Sequence, residues 1–94
     1  SILIGILSQQ LVPLVTETGR MVATELLVVN NAVKNYIREA KTSQIKNAIQ
    51  TGSALGMHTM DQDLARMYRE GLISRKNAIA YAYDIKDLER FMGD

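Results

Sequence analysis

The sequence contains no cysteine and no tryptophan, and it has one proline and one histidine. Without cysteine the chain can form no disulfide, thiolate nucleophile or cysteine-based zinc site. The single histidine, His58, leaves a histidine-rich metal site without enough ligands. Eleven Lys and Arg residues against ten Asp and Glu residues give a net charge of +1. This balance argues against electrostatic binding to nucleic acid or to a membrane surface.

Long apolar runs are also missing from the sequence. The best candidates lie at residues 2–7 and 26–29, far below the roughly 18 residues that a membrane-spanning helix needs. No cationic start followed by an apolar stretch indicates a signal peptide. The chain has 94 residues, of which 47% are apolar and 22% charged, and this is the composition of one small globular domain. Because the chain begins inside an apolar run, we expect it to be the tail of a longer protein.

The first third of the chain predicts a β-hairpin preceded by a helix. Apolar residues at positions 2, 3, 6, 7 and 11 have helical spacing and predict a helix that stops before Pro13. A strand over residues 3–7 is the alternative, because isoleucine favours β-structure. Residues 16–19 indicate a turn in which Gly19 is free to take positive φ. The flanking residues 11–15 and 21–29 are predicted to form the two arms of the hairpin.

From Asn30 onward, the spacing of apolar residues changes from every second residue to helical spacing. Five helices joined by tight turns are predicted. A small polar residue stands before each one, and such residues accept hydrogen bonds from the first free amides of a helix. The predicted fold class is therefore mainly α with a small N-terminal β-hairpin. The predicted capping residues are Asn30 or Asn31, Thr42 or Ser43, Thr59 paired with Gln62, Ser74, and Asp84.

The sequence offers no complete catalytic or metal-binding set. None of its six glycines is followed by Lys and then Ser or Thr, so the chain has no Walker-type phosphate-binding loop. We therefore do not expect this chain alone to be an enzyme. Asp61 and Asp63 are interpreted as carboxylates placed beside the positive end of a helix. His58 is interpreted as a surface or capping residue.

The last two predicted helices follow one another closely enough for a helix-turn-helix. A recognition helix presents several cationic or amide side chains to the bases and phosphates. Here Lys86 and Arg90 are interspersed with Asp87 and Glu89, which disfavours DNA binding. A stand-alone helical protein-interaction or DNA-binding module is nevertheless the alternative interpretation of the chain.

The first predicted helix, residues 32–41, carries a distinctive polar face. Lys34, Arg38 and Lys41 are spaced i, i+4, i+7, which predicts three cations on one side of one helix. A charged helix face of this kind ordinarily contacts only solvent. The carboxylate of Glu39 reduces part of the repulsion among the three cations. The sequence of this helix, however, also carries a family resemblance.

Residues 32–39, AVKNYIRE, resemble the AIRNLIRE motif of the pilus-retraction ATPases of twitching motility, the PilT family. Upstream, residues 8–13 are similar to the SQQL-type helix end that precedes the hairpin in this family. The resemblance covers essentially the whole chain. Further stretches that look like family motifs are KTSQI at 41–45, AIQTG at 48–52, GMHTMDQ at 56–62 and GLIS at 71–74.

The resemblance implies that the chain is the C-terminal part of a cytoplasmic, hexameric ATPase of the secretion-ATPase superfamily, peripheral to the inner membrane. Residues 1–30 would be the end of its RecA-like core, a helix end plus the hairpin, and residues 31–94 a helical C-terminal subdomain. The family's nucleotide-binding motifs lie upstream, so ATP and Mg²⁺ are expected in the parent and no cofactor in this fragment. The implied partners are the upstream motor core, neighbouring subunits of a homohexamer and the pilus machinery, with no nucleic acid. Self-association of the fragment is a further expectation.

By the same resemblance, the functional element is the first helix, which the family uses for retraction rather than for ATP chemistry. Lys34 and Arg38 are the implied contact residues. The motif departs from the family pattern at Val33, Lys34 and Tyr36. Ala40 stands where the family commonly has glycine, which predicts that the helix runs on past this position. The residues of the implied functional motif are Ala32, Val33, Lys34, Asn35, Tyr36, Ile37, Arg38 and Glu39.

Overall fold

The computed structural model describes residues 3–16, 18–52 and 56–93. Within these residues the chain forms two strands followed by five helices. The predicted class, mainly α with an N-terminal hairpin, is confirmed. The strands are β1, Leu3–Pro13, and β2, Arg20–Val29. The helices are α1, Asn31–Arg38; α2, Thr42–Thr51; α3, Met60–Arg69; α4, Arg75–Tyr81; and α5, Ile85–Met92.

Strand β1 corrects the prediction for the start of the chain. The helix predicted over residues 2–11 is wrong where the structure describes it, and so is the helix end implied for residues 8–13, because Leu3–Pro13 is a strand. The alternative of a strand over residues 3–7 is confirmed. It pairs with β2 in antiparallel register. The prediction of residues 21–29 as the second arm of the hairpin is confirmed by Arg20–Val29.

The apolar spacing of β1 misleads because two of the residues that set it, Ile6 and Leu11, lie on the outer side of the strand. Ile6 and Leu11 are more than half exposed, so they do not form the buried stripe of an amphipathic helix. The inner side of β1 carries the buried Val12 and the half-buried Gln10. Gln10 Nε2 donates a hydrogen bond to the carbonyl oxygen of Tyr81 at 2.9 Å. At least two of the side chains that give the helical spacing, those of Ile6 and Leu11, therefore face away from the core.

Buried side chains form two separate apolar clusters. The α3–α5 core joins the turn end of the hairpin to the last three helices, and the α1–α2 core joins the far end of β2 to the first two. Buried members of the α3–α5 core are Val12, Ala23, Met60, Leu64, Ala65, Met67, Ile73, Ala78, Leu88 and Met92. Those of the α1–α2 core are Leu27, Val28, Val33, Ile49 and Met57. No helix among the described residues is long and apolar enough to cross a membrane.

Four of the predicted helix starts are confirmed by side chains that accept a hydrogen bond from the amide three residues ahead. Helix α3 opens with a full capping box, in which Thr59 Oγ1 accepts from the Gln62 amide and Gln62 Oε1 accepts from the Thr59 amide. The start of α2 is different, because Lys41 occupies the cap position and its side chain makes no capping hydrogen bond. The prediction that Thr42 or Ser43 caps this helix is wrong. The four confirmed caps are Asn30, Thr59, Ser74 and Asp84.

Helix α1 is followed by a left-handed residue that is not glycine. Ala40 has a φ of +55°, so the prediction that the helix runs on past this position is wrong. The Ala40 amide donates to the Ile37 oxygen at 3.1 Å, and the Lys41 amide donates to the Tyr36 oxygen at 2.9 Å. This is the Schellman arrangement of a helix end, which normally places glycine at the left-handed position. Helix α3 ends in the same way with Gly71, at a φ of +76°.

Replacing Ala40 by glycine should raise the free energy of unfolding by about 0.5–1 kcal/mol, because the left-handed strain of alanine exceeds the entropy that glycine loses on folding. Urea unfolding followed by circular dichroism measures the change. The matched control is Gly71→Ala, where an added Cβ meets no atom within 4 Å and only the strain is introduced. The urea midpoint of this control should fall. A lower midpoint for Ala40→Gly as well would contradict the assignment of strain at Ala40.

Candidate functional site

Helix α1 is fixed to the body of the protein by its inner side. Val33 is buried in the α1–α2 core, and its amide donates to Asn30 Oδ1 at 2.9 Å. Tyr36, one turn further on, lines an open groove between α1 and α2 together with Ala32. Val33 and Tyr36 therefore position the helix and leave its other side to solvent.

The outward side of α1 carries two cations beside an apolar residue. Lys34 and Arg38 are four residues apart, which places them on the same side of the helix, and both are exposed. Ile37 lies beside them and is 54% exposed. Arg38 Nη2 donates to Asn35 Oδ1 at 2.7 Å, which ties the guanidinium to the helix. No carboxylate among the described residues forms an ion pair with Lys34 or Arg38.

Lys41 is not part of this outward side. The sequence spacing predicts three cations on one side of one helix, but α1 ends at Arg38 and the left-handed Ala40 turns the chain before Lys41. Lys41 Nζ instead pairs with Glu39 Oε2 at 2.9 Å. Glu39 thus neutralises Lys41 rather than Lys34 and Arg38, and the face formed by those two residues keeps its positive charge.

Polar contacts join α2 to α3 and to the start of α5. Lys46 Nζ lies 2.7 Å from Asp87 Oδ2 and 3.6 Å from Asp84 Oδ2. The hydrogen bond between Lys46 and Asp87 raises the pKa of Lys46 and lowers the pKa of Asp87. Gln62 Nε2 also donates to the carbonyl oxygen of Gln50 at 3.2 Å. The orientation of α1 and α2 on the protein therefore depends on these contacts as well as on the α1–α2 core.

Asp61 connects the start of α3 to the start of α5. Its Oδ1 accepts from the Tyr83 amide at 2.8 Å, and its Oδ2 accepts from the Asp84 amide at 3.1 Å. Burial raises the pKa of Asp61, although the two amide hydrogen bonds oppose the shift. Asp61 does lie in the first turn of α3, as the sequence predicts. Its link to a distant segment is a second role that the sequence does not reveal.

Asp63 and His58 hold strand β2. Asp63 Oδ2 accepts from the Thr24 amide at 2.8 Å, and its Oδ1 pairs with Arg66 Nε at 3.0 Å. His58 Nε2 lies 2.8 Å from Thr24 Oγ1, and the backbone of His58 pairs with Leu26. His58 is therefore a structural residue at the edge of β2 and not a helix cap. In the part of the chain that the structure describes, no group of three His, Asp or Glu side chains is placed to hold a metal ion.

The last two helices use most of their charges in ion pairs. Arg90 Nη2 lies 3.1 Å from Asp87 Oδ1, and Arg75 Nη2 lies 3.4 Å from Glu89 Oε2. Lys86 is exposed. A helix that reads DNA presents free cations and amides to the bases and phosphates. The observed pairing therefore gives no support to the DNA-binding interpretation.

Comparison with known proteins adds sequence relatives to this geometry. No family model matches the chain. A twitching motility protein of Neisseria gonorrhoeae is 45% identical over 76 residues, which cover 81% of this chain and 20% of that protein. The type IV pilus retraction ATPase PilT of Pseudomonas aeruginosa is 41% identical over 81 residues, which cover 79% of this chain and 24% of that protein. The chain thus spans between a fifth and a quarter of the length of these curated relatives.

A solved structure agrees with these relatives. The crystal structure of the pilus retraction motor PilT with bound ADP matches the chain with a TM-score of 0.71 at 41% sequence identity. The match covers 88% of this chain and 22% of that one. Both the sequence and the backbone structure of this chain therefore match the PilT motor over most of the chain's length. The chain belongs to the PilT family and corresponds to its C-terminal part.

Proposed function

We propose that this chain is the C-terminal coupling module of a hexameric pilus-retraction ATPase. ATP and Mg²⁺ bind to other parts of the full-length protein, and this chain passes the resulting motion to the machinery that disassembles type IV pili. Support comes from the identity to a twitching motility protein and to a pilus retraction ATPase, and from the backbone match to a motor with bound ADP. The full-length protein is proposed to work in the cytoplasm at the inner membrane.

The proposal divides the chain at the end of the hairpin. Residues 1–30 complete a RecA-like core, and residues 31–94 form the helical subdomain. Apolar side chains on the outer side of the hairpin support this division, because exposed patches of this kind mark surfaces that another part of an assembly covers. The proposed cover is the upstream core or a neighbouring subunit. The exposed apolar residues on this side of the two strands are Ile6, Leu11 and Val22.

One observation carries the functional proposal: α1 is anchored on one side and presents unneutralised cations on the other. Lys34 and Arg38 have no carboxylate partner among the described residues, and the exposed Ile37 lies beside them. Cations carried on a fixed helix attract the carboxylates of a partner and form charge-assisted hydrogen bonds with them. The α1 face, Lys34, Ile37 and Arg38, is therefore the proposed contact of the retraction machinery.

Replacing Lys34 and Arg38 together by alanine in the full-length protein should reduce pilus retraction at least about tenfold, because two charged contacts of a partner interface are lost. ATP hydrolysis should stay close to that of the unmodified protein, since neither residue belongs to a nucleotide site in this proposal. Hydrolysis is measured on the purified protein, and retraction is measured by twitching of cells that carry the variant.

The matched control is the double variant Lys76→Ala and Lys86→Ala. These two lysines are also exposed, but they lie on α4 and α5. The control removes the same amount of charge and should retain both hydrolysis and retraction. A parallel loss of hydrolysis in the Lys34 and Arg38 variant would contradict the coupling role, and so would normal retraction.

A further inference from the structure

A polar layer separates the two apolar cores of the protein. The α3–α5 core takes its part of β2 from Ala23, and the α1–α2 core begins at Leu27. Between them, Glu25 Oε2 accepts from the Met60 amide at 3.1 Å, and Thr24 contacts His58. Two adjacent apolar clusters that are divided by polar groups are not fixed to one another by close packing. Their relative position depends on the contacts within the layer.

The hairpin is irregular at the same level. Ile6 pairs with Leu26 and Ser8 pairs with Glu25, so Leu7 is an extra residue that has no partner in β2. A β-bulge of this kind bends its strand and re-aims a side chain. Leu7 lines a cleft of about 360 Å³ between the two cores. The backbone that both cores share is therefore bent where the polar layer crosses it.

The opposite side of this cleft is bridged by charged side chains. Ile45 and Lys46 of α2 face the cleft, as do Tyr83 and Asp84 before α5. Lys46 reaches across to Asp87 at 2.7 Å. The side chain of Lys46 is 46% exposed and that of Asp87 is 17% exposed. Because an ion pair this open to water is weak and is screened by salt, it can break and re-form without unfolding either core.

We infer that the polar layer is a hinge, about which the α1–α2 core pivots against the α3–α5 core, with the Lys46–Asp87 pair as its latch. The bulge at Leu7 is the flexible point of the hairpin, and the cleft widens when the latch opens. The α1 face belongs to the pivoting part, because Val33 anchors α1 in the α1–α2 core. Opening the latch therefore changes where this face lies relative to α3–α5. The hinge rests on the packing and the polar contacts described above, and only its use in retraction rests on the proposed function.

Distances between paired spin labels on the 94-residue chain test the hinge. The sequence has no cysteine, so Ser43→Cys in α2 and Lys86→Cys in α5 give a labelled pair across the hinge without other changes. Both positions are exposed. Lys46→Met removes the latch charge and should raise a longer-distance population up to about five-fold, the range expected for an exposed ion pair. Raising the salt concentration on the chain with Lys46 should shift the populations in the same direction.

Two controls separate the hinge from a general loss of stability. A label pair within one core, Lys76→Cys and Lys86→Cys, should keep its distance distribution in the Lys46→Met background. Arg90→Met removes another cation from Asp87, but Arg90 and Asp87 both lie in α5, so the pair across the hinge should not respond. The inference is overturned if Lys46→Met leaves that pair unchanged, or if both label pairs broaden together. Because this measurement involves no pilus, its failure leaves the proposed function standing, and the reverse also holds.

Discussion

Replacing Asp61 by alanine is expected to lower the free energy of unfolding by about 2–5 kcal/mol, because two part-buried backbone amides lose their only described acceptor. Asp61 is 3% exposed, and its carboxylate accepts from the amides of Tyr83 and Asp84. Both amides lie where the chain passes from α4 into α5. Loss of the two hydrogen bonds should therefore loosen the packing of α5 as well as lower the overall stability. Urea unfolding followed by circular dichroism measures the change.

The matched control for Asp61→Ala is Glu70→Ala. Glu70 follows the same helix, and its described ion pair is with Arg66 at 2.9 Å on the exposed surface. Exposed pairs of this kind contribute about 0–1 kcal/mol, so the control should unfold close to the unmodified chain. Equal destabilisation by both substitutions would show that Asp61 is not an anchor between elements.

The pH dependence of stability gives a second view of Asp61. Burial raises its pKa above the ordinary value of 3.8, so the folded chain binds this proton more tightly than the unfolded chain does. The contribution of this carboxyl to stability therefore falls as the pH rises from 3.8 through the raised value. The difference in stability between the unmodified chain and Asp61→Ala should be larger at acid pH and narrow over that range.

Replacing Leu64 by alanine should lower the free energy of unfolding by about 2–5 kcal/mol, the cost of lost apolar burial and of the cavity that is left. Leu64 has no exposed surface and lies in the α3–α5 core. This cluster holds the hairpin and three helices together, so few neighbours are free to collapse into the space. Chemical unfolding of the purified chain gives the size of the loss.

Leu11→Ala is the matched control, because it removes the same atoms from a leucine that is 57% exposed. We expect the chemical-unfolding midpoint of Leu11→Ala in the isolated chain to change little, since most of the Leu11 side chain is in water in the folded state. If Leu11→Ala costs as much as Leu64→Ala, the outer side of the hairpin is buried in solution and its description as an open surface is wrong.

The starts of α1, α3, α4 and α5 can be predicted from the sequence, because each depends on a side chain and an amide only three residues apart. Strand β1 cannot be predicted in this way. Its inner side carries Gln10, which is satisfied by a carbonyl oxygen 71 residues away, and its apolar residues Ile6 and Leu11 face outward. A local pattern therefore identifies the apolar positions but not the side of the strand that is buried.

The same limit applies to the candidate site. Lys34 and Arg38 are correctly placed on one face because both lie within one regular helix. Lys41 is misplaced because Ala40 takes a left-handed conformation that alanine rarely adopts. The role of Asp61 is missed because its two donors lie 22 and 23 residues ahead. Such partners become neighbours only after the helices have packed.

A chimera tests the coupling role most directly. This chain would replace the matching part of PilT from Pseudomonas aeruginosa, and twitching of cells that lack their own PilT would be measured together with ATP hydrolysis by the purified chimera. We expect the chimera to hydrolyse ATP and to restore retraction, and the chimera with Lys34→Ala and Arg38→Ala to hydrolyse ATP without restoring it. The role proposed for the α1 face would be contradicted by a folded chimera that hydrolyses ATP but never retracts pili. It would also be contradicted if the chimera with Lys34→Ala and Arg38→Ala retracted pili equally well.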